Sequence, residues 1–205
     1  MKNKDLEMLN KQFYNDFAND FSTTRLNIWD GMKKVKEYIR DGDSILDVGC
    51  GNGRNSQLFS EDKYVGIDYS IPLLKIARKQ NNGFKFFKKD MLKKYWSYDL
   101  GKFDVILLIA VLHHIPNTNQ RIHLFQDFRK LLNKDGKVIF SIWDFEVKKN
   151  MQDLGGGNFL IPFNNKSYRY VHKFESNEID TIINDSNFSI YDKFCKEGNI
   201  YYIIL

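Results

Sequence analysis

Cysteine is scarce in this 205-residue chain, and long apolar runs are absent from it. The two cysteines, Cys50 and Cys195, sit in unlike contexts and show no C-x-x-C spacing. That usage argues against a disulfide framework or a zinc site and fits reduced thiols in a cytoplasmic protein. The longest apolar run, Val105 to Leu112, falls well short of the ~18 residues that span a bilayer, so no membrane segment is expected. The start, Met1-Lys2-Asn3-Lys4-Asp5, is polar and lacks the apolar core of a secretion signal. Internal repeats and low-complexity linkers are missing too, and the length suits one domain over 1–205 with one sizeable core. The net charge of +5 has two readings: attraction to a polyanion such as RNA, or lysine-rich composition with solvated side chains.

What the sequence does hold is a regular alternation. Residues 5–21 carry Leu6, Leu9, Phe13, Phe17 and Phe21 at helical spacing, and a second helix is expected from Leu26 to Arg40. These N-terminal helices (1–43) precede a strand at 44–48, a glycine loop and a helix at 55–60. A second strand at 64–68 and a helix at 72–79, with Pro72 in its first turn, follow. Strands are then expected at 84–87, 103–110 and 137–143, with a helix at 119–132 before the last. The 103–110 strand suits a central parallel strand covered on both faces. This β-α repetition predicts an α/β fold, a mostly parallel sheet with helices on both faces. The end departs from it: a helix at 176–187, then strand-like runs at 188–195 and 199–205 joined by Lys196-Glu197-Gly198, a hairpin signal. Residues 145–170, with Gly155-Gly156-Gly157, fit neither pattern and read as an insertion over the carboxyl ends of the strands, on the substrate side.

The chemistry concentrates behind the first strand. Asp47-Val48-Gly49-Cys50-Gly51-Asn52-Gly53 is a loop whose glycines allow tight turning and close approach of a ligand, ahead of free backbone N–H groups. Asp68 ends the second strand, where a carboxylate can accept from two ribose hydroxyls. Asp90, after the third strand, can accept from an adenine amino group, with Met91 beside the ring. The three features in this order are strong together, although a glycine loop alone is weak. A nicotinamide dinucleotide is the competing ligand. Its G-x-G-x-x-G fingerprint wants glycine where Arg54 stands, and Asp47 before the loop suits the ammonium end of S-adenosylmethionine (SAM) better than a pyrophosphate. Tyr14, ahead of the sheet, either reaches the cofactor with its hydroxyl or packs in the core. The cofactor-binding set expected is Tyr14, Asp47, Gly49, Cys50, Gly51, Asn52, Asp68, Tyr69, Asp90, Met91 and Ile109, with no metal.

Several segments carry a more specific likeness. Phe21-Ser22-Thr23-Thr24-Arg25 with Trp29, Ile109-Ala110-Val111-Leu112-His113-His114, Ile142-Trp143, Pro162-Phe163, Tyr168 to Phe174 and Glu197-Gly198-Asn199 resemble the eukaryotic tRNA wobble-uridine carboxymethyl methyltransferases. The resemblance extends over nearly the whole chain. It implies a Rossmann-like class I methyltransferase fold with a seven-stranded sheet and a C-terminal antiparallel hairpin. It also implies SAM as donor, tRNA bearing 5-carboxymethyluridine as substrate, and the methyl ester as product. A small zinc-binding activator protein is implied as partner, pairing with an edge strand that matches Phe84-Lys85-Phe86-Phe87; an aromatic edge left open is a liability. The alternative is that these phenylalanines simply face the core and a covering helix. The chain lacks the oxygenase and RNA-recognition domains of the animal relatives and resembles the stand-alone fungal form.

Methyl transfer from a sulfonium is an in-line displacement in which positioning dominates. A carboxylate, with a reference pKa near ~4, needs no general base at neutral pH. After the fourth strand the chain lacks the Asn/Asp-Pro-Pro-Tyr type of motif that grips an exocyclic amine, and Cys50 is badly placed to attack a pyrimidine. The catalytic candidates are therefore His114 near the transferred methyl, Arg25 for a carboxylate or phosphate (or else a surface arginine at a helix start), Trp143 as a stacking platform or as plain core packing, and Asp30 to orient Arg25 or the substrate. One of His113 and His114, more readily His113, is expected to be structural. Trp29, Arg121, Arg169 and His172 are candidates for the RNA-facing side. Two other functions stay open: a small-molecule carboxylate or phenol O-methyltransferase, and a non-catalytic binding subunit on the same fold.

Overall fold

The computed structural model describes residues 1–164 and 167–205. Seven strands form the main sheet: β1 (Ile45–Val48), β2 (Tyr64–Asp68), β3 (Lys85–Lys88), β4 (Phe103–Ile109), β5 (Leu132–Trp143), β9 (Ile190–Lys196) and β10 (Asn199–Ile204). Their order is β3-β2-β1-β4-β5-β10-β9. The first five run parallel, and β10 pairs antiparallel with both β5 and β9. This is the expected mostly parallel sheet with its C-terminal hairpin.

Strand alternation builds two cores from one sheet. Along β4, Val105, Leu107 and Ile109 face one side, while Ile106 and Leu108 face the other. The first side packs against α3 (Asp30–Lys36) and α4 (Ile71–Gln80) through Met32, Val35, Leu74 and Ala77. The second packs against α5 (Thr118–Leu131) and α6 (Ser176–Asp185) through Leu124, Phe125, Phe128, Ile179 and Ile182. Ser70 caps α4 by accepting from the Leu73 N–H, and Asn117 caps α5 by accepting from the Gln120 N–H.

The N-terminal segment differs from its periodicity. The single helix expected over 5–21 is broken at Phe17 (φ −106°, ψ 22°) into α1 (Asn3–Asp16) and α2 (Ala18–Thr23). Phe17 packs on Phe13 and Phe163 there. The helix expected over 26–40 shrinks to α3, because Trp29 is extended (φ −67°, ψ 145°) and starts the helix late. After the glycine loop only a 3-10 turn, Arg54–Leu58, forms.

The expected insertion over 145–170 carries strands of its own. It holds a small antiparallel sheet of β6 (Gln152–Gly155), β7 (Asn158–Phe163) and β8 (Ser167–His172), turned at the three glycines; residues 165 and 166 lie outside the described ones. Asn10 of α1 pins β8 across the end of β4. Its amide donates to the carbonyls of Tyr170 (3.0 Å) and His114 (3.3 Å), and its oxygen accepts from the Tyr170 N–H (2.8 Å). α1 and β8 thus cover the carboxyl ends of the parallel strands, where ligands bind in such sheets.

Candidate active site

A cavity opens to solvent at those strand ends. One end is built on the glycine loop. Gly49 (φ +75°) turns the chain so tightly that a Cβ on it would lie 2.6 Å from Val111 Cγ2. Gly51 (φ +57°) instead has an open face, with only Phe21 at 3.9 Å. Asp68 is buried beside it: one oxygen accepts from the Gly51 N–H (2.9 Å) and the other from the Ser70 N–H (2.8 Å). Burial pushes its carboxyl up to about 6 against the pull of those N–H groups. Asp90 pairs with Lys11 of α1 at 2.5 Å and accepts from the Leu92 N–H. Tyr69 donates its hydroxyl to the Asn10 carbonyl (3.1 Å).

The other end is built on α1, α2 and the turn after β4. His114 Nδ1 lies 2.9 Å from the Tyr170 carbonyl, and Nε2 lies 2.7 Å from the Tyr14 hydroxyl. A carbonyl only accepts, so Nδ1 carries the hydrogen and Nε2 accepts from Tyr14. Burial, then the charge of Arg169, hold the His114 imidazole down to about 3, so it is neutral. Burial also raises the Tyr14 phenol, which keeps its proton. Arg25 lies 4.1 Å over the Phe21 ring and Arg54 lies 3.8 Å over the Trp29 ring; all four residues line the cavity.

A family model described as "Methyltransferase domain" matches residues 24–193. The chain belongs to this methyltransferase family. Among similar proteins, one from Encephalitozoon cuniculi, assigned to the methyltransferases by name only, is 28% identical over 94% of this chain and 93% of its own length. The tRNA (carboxymethyluridine(34)-5-O)-methyltransferase of Schizosaccharomyces pombe is 27% identical over 88% of this chain and 89% of its own. The protein of that activity from Xenopus tropicalis is 34% identical over 67% of this chain, which spans only 22% of that longer protein. A solved DhpI–SAM–HEP complex shares the fold with a TM-score of 0.75 at 16% identity, covering 98% of this chain and 97% of that one. These relatives match the resemblance read from the motifs.

SAM is the methyl donor of this methyltransferase, and the cavity fits it. Gly51 has an open face at the cavity, and Asp68 keeps lone pairs beyond its two N–H donors. A pH dependence follows. The ionised Asp68 accepts from hydroxyls better than the neutral acid, and its carboxyl titrates near 6. SAM affinity is therefore expected to be flat above pH 7 and to fall as pH drops through 6; calorimetry at pH 5, 6 and 7.5 checks it. Asp68→Asn should remove that pH dependence.

Of the residues expected to meet the donor, Tyr14, Gly49, Cys50, Gly51, Asn52, Asp68, Tyr69, Asp90, Met91 and Ile109 all line the cavity. Asp47 does not. Its place in β1 turns its side chain to the α3/α4 side, where it accepts from the Tyr64 hydroxyl (2.7 Å) and the Asn55 amide (3.3 Å). It anchors the loop from beneath and has no open line to the donor. Burial raises its carboxyl to about 6.

On the substrate side, His114, Arg25, Trp29 and Trp143 line the cavity. His113 is the structural member of its pair, buried and accepting from the Trp143 N–H (3.4 Å). Four expectations need correction. Asp30 is exposed and paired with Lys33 at 2.7 Å, so it orients neither Arg25 nor a substrate. Arg121 is 1% exposed, donating to the Ile115 carbonyl and lying on Phe174, so it is a core arginine and not part of a rim. His172 is 4% exposed and bonded to Asn158 and Glu178, which ties β8 to α6. Arg169 is 8% exposed, among Phe13, Phe163 and Trp143. Trp143 fits the packing reading in part: His113 (4.4 Å) and Arg169 (4.5 Å) pack on its ring, while it still lines the cavity. Sequence reasoning missed Lys11 and Arg54. Lys11 is three residues before Tyr14 on one helical face; Arg54 stands out in the sequence only as the place of a missing glycine.

Proposed function

We propose that this methyltransferase esterifies the carboxylate of 5-carboxymethyluridine at the wobble position of tRNA. The observation that carries the reading is a cavity whose groups suit a nucleophile that arrives already ionised. Tyr14 is a phenol, His114 is a neutral imidazole with both nitrogens engaged, and Arg25 offers a cation. Such a site suits a carboxylate and is a poor one for deprotonating an amine or a hydroxyl. The relatives named as tRNA carboxymethyluridine methyltransferases support the same substrate.

Bound SAM supplies an electrophilic methyl carbon on a sulfonium. Arg25 would pair with the substrate carboxylate, with Phe21 fixing the guanidinium plane. Tyr14 keeps its proton and donates it in a hydrogen bond to His114 Nε2, which fixes the phenol at the cavity wall. α1 and β8, locked together through Asn10, exclude water from the strand ends.

The activator implied by the resemblance belongs to the same proposal. β3 is the sheet edge, its Phe86 buried and its Phe87 46% exposed. An edge strand with an exposed aromatic is a surface for strand addition. The test is to incubate the chain with SAM and tRNA carrying 5-carboxymethyluridine, with and without the activator, and to analyse the nucleosides by mass spectrometry. One added methyl on that nucleoside is expected, with higher yield when the activator is present. Methylation of a small carboxylic acid with none on tRNA would transfer the assignment to the small-molecule class.

A further inference from the structure

Two arginines, Arg25 and Arg54, line the substrate side of the cavity, and the proposed substrate's carboxylate answers one of them. Among the described residues, no ion pair includes Arg25, Arg54 or Arg169. Their charges also act on one another. Arg54 is held down to about 10, first by burial and then by the charge of Arg25. Arg25 is lowered first by burial and then by the charge of Arg169. Of the cavity-lining carboxylates, Asp68 binds backbone N–H groups, Asp90 binds Lys11 and Glu7 accepts from the Gln120 amide; Asp47 and Glu197 act on Arg54 without pairing with it. Like charges gathered in a partly desolvated place are relieved by an anion.

Arg54 is the best-built member for a second anionic contact. It leaves the glycine loop directly after Gly53, so the loop fixes its position. Its guanidinium lies on the face of Trp29, which sets its plane and leaves the in-plane N–H donors free. Nη1 is buried without a hydrogen-bond partner. Arg25 is already assigned to the reacting carboxylate. Building on that reading and deepening it, we propose that Arg54 binds a backbone phosphate of the RNA beside the target nucleotide. The site then recognises two anionic groups on one oligonucleotide, a carboxylate and a phosphate, and a lone carboxylic acid fills it only in part.

The test uses a short single-stranded RNA with one 5-carboxymethyluridine, and the same RNA with neutral methylphosphonates flanking that nucleotide. Binding is followed by anisotropy over a range of salt, and SAM affinity by calorimetry. Arg54→Ala is expected to weaken RNA binding ~10-fold and to make the log–log salt slope shallower by ~0.7, one phosphate on a single strand. The methylphosphonates should weaken wild-type binding by a similar factor and leave Arg54→Ala unmoved. Arg54→Lys should keep the salt slope while losing part of the affinity. Wild-type RNA affinity and slope in Arg54→Ala would overturn the proposal. So would a loss of SAM affinity with RNA binding intact, which would place Arg54 on the donor's own carboxylate. Failure of the esterification reading looks different: the phosphate-dependent change in slope persists, and mass spectrometry finds no methyl ester.

Discussion

Asp68→Ala is expected to weaken SAM binding by at least ~100-fold, because a charge-assisted hydrogen bond contributes ~1.5–3 kcal/mol and two ribose hydroxyls lose their acceptor. The residue is buried at the end of β2, between the glycine loop and the start of α4. Its removal also strands the Gly51 and Ser70 N–H groups it now satisfies. Some loss of melting temperature should therefore accompany the loss of affinity. Asp68→Asn separates the two effects: it keeps the shape and an acceptor for one of the two N–H groups, so it should recover part of the stability and little of the affinity. Calorimetric titration with SAM on variants whose unfolding has been followed by circular dichroism decides the matter. Affinity within threefold of wild type in Asp68→Ala would mean that the donor's nucleoside lies elsewhere.

Arg25→Ala should lower kcat/KM on carboxymethylated RNA by ~10²- to 10³-fold, with SAM affinity little changed. Truncating one side of a desolvated, hydrogen-bonded charge pair costs ~2–5 kcal/mol. Two contacts hold Arg25 in place. Its Nη1 donates to Thr24 Oγ1 at 2.6 Å, and its plane lies on Phe21. Arg25→Lys should recover only part of the rate, since an ammonium lacks the planar fork. Steady-state kinetics on RNA with carboxymethyluridine measures the effect. The rate at saturating SAM should also be level from pH 5.5 to 8, because His114 titrates far below that window, near 3. An activity in Arg25→Ala within threefold of wild type would remove the carboxylate from this arginine.

The donor end was legible because its parts follow one another along the chain. A strand, a glycine loop and two acidic strand ends are local patterns, and parallel α/β topology brings such ends together without further information. The hairpin at 188–205 was legible for the same reason. The substrate end was not, because side-chain type does not reveal burial. Arg121 and His172 looked like a rim for RNA, yet each is bonded in the interior, to a backbone carbonyl in one case and to Asn158 and Glu178 in the other. Asp47 failed by one step of strand alternation, which points it away from the cavity. The insertion read as irregular because its strands are short, four to six residues each, and Tyr170, which orients His114, lies at its far end. Only tertiary packing brings Asn10, His114 and Tyr170 into contact.

The central claim is that this cavity moves a methyl group from SAM to a carboxylate on RNA. The most direct measurement supplies SAM with a deuterated methyl group and RNA with one 5-carboxymethyluridine, then compares the nucleosides before and after mild alkali. The account predicts one deuterated methyl on that nucleoside, lost on alkali treatment as an ester must be. A label that survives alkali, on the base or the ribose, would contradict it.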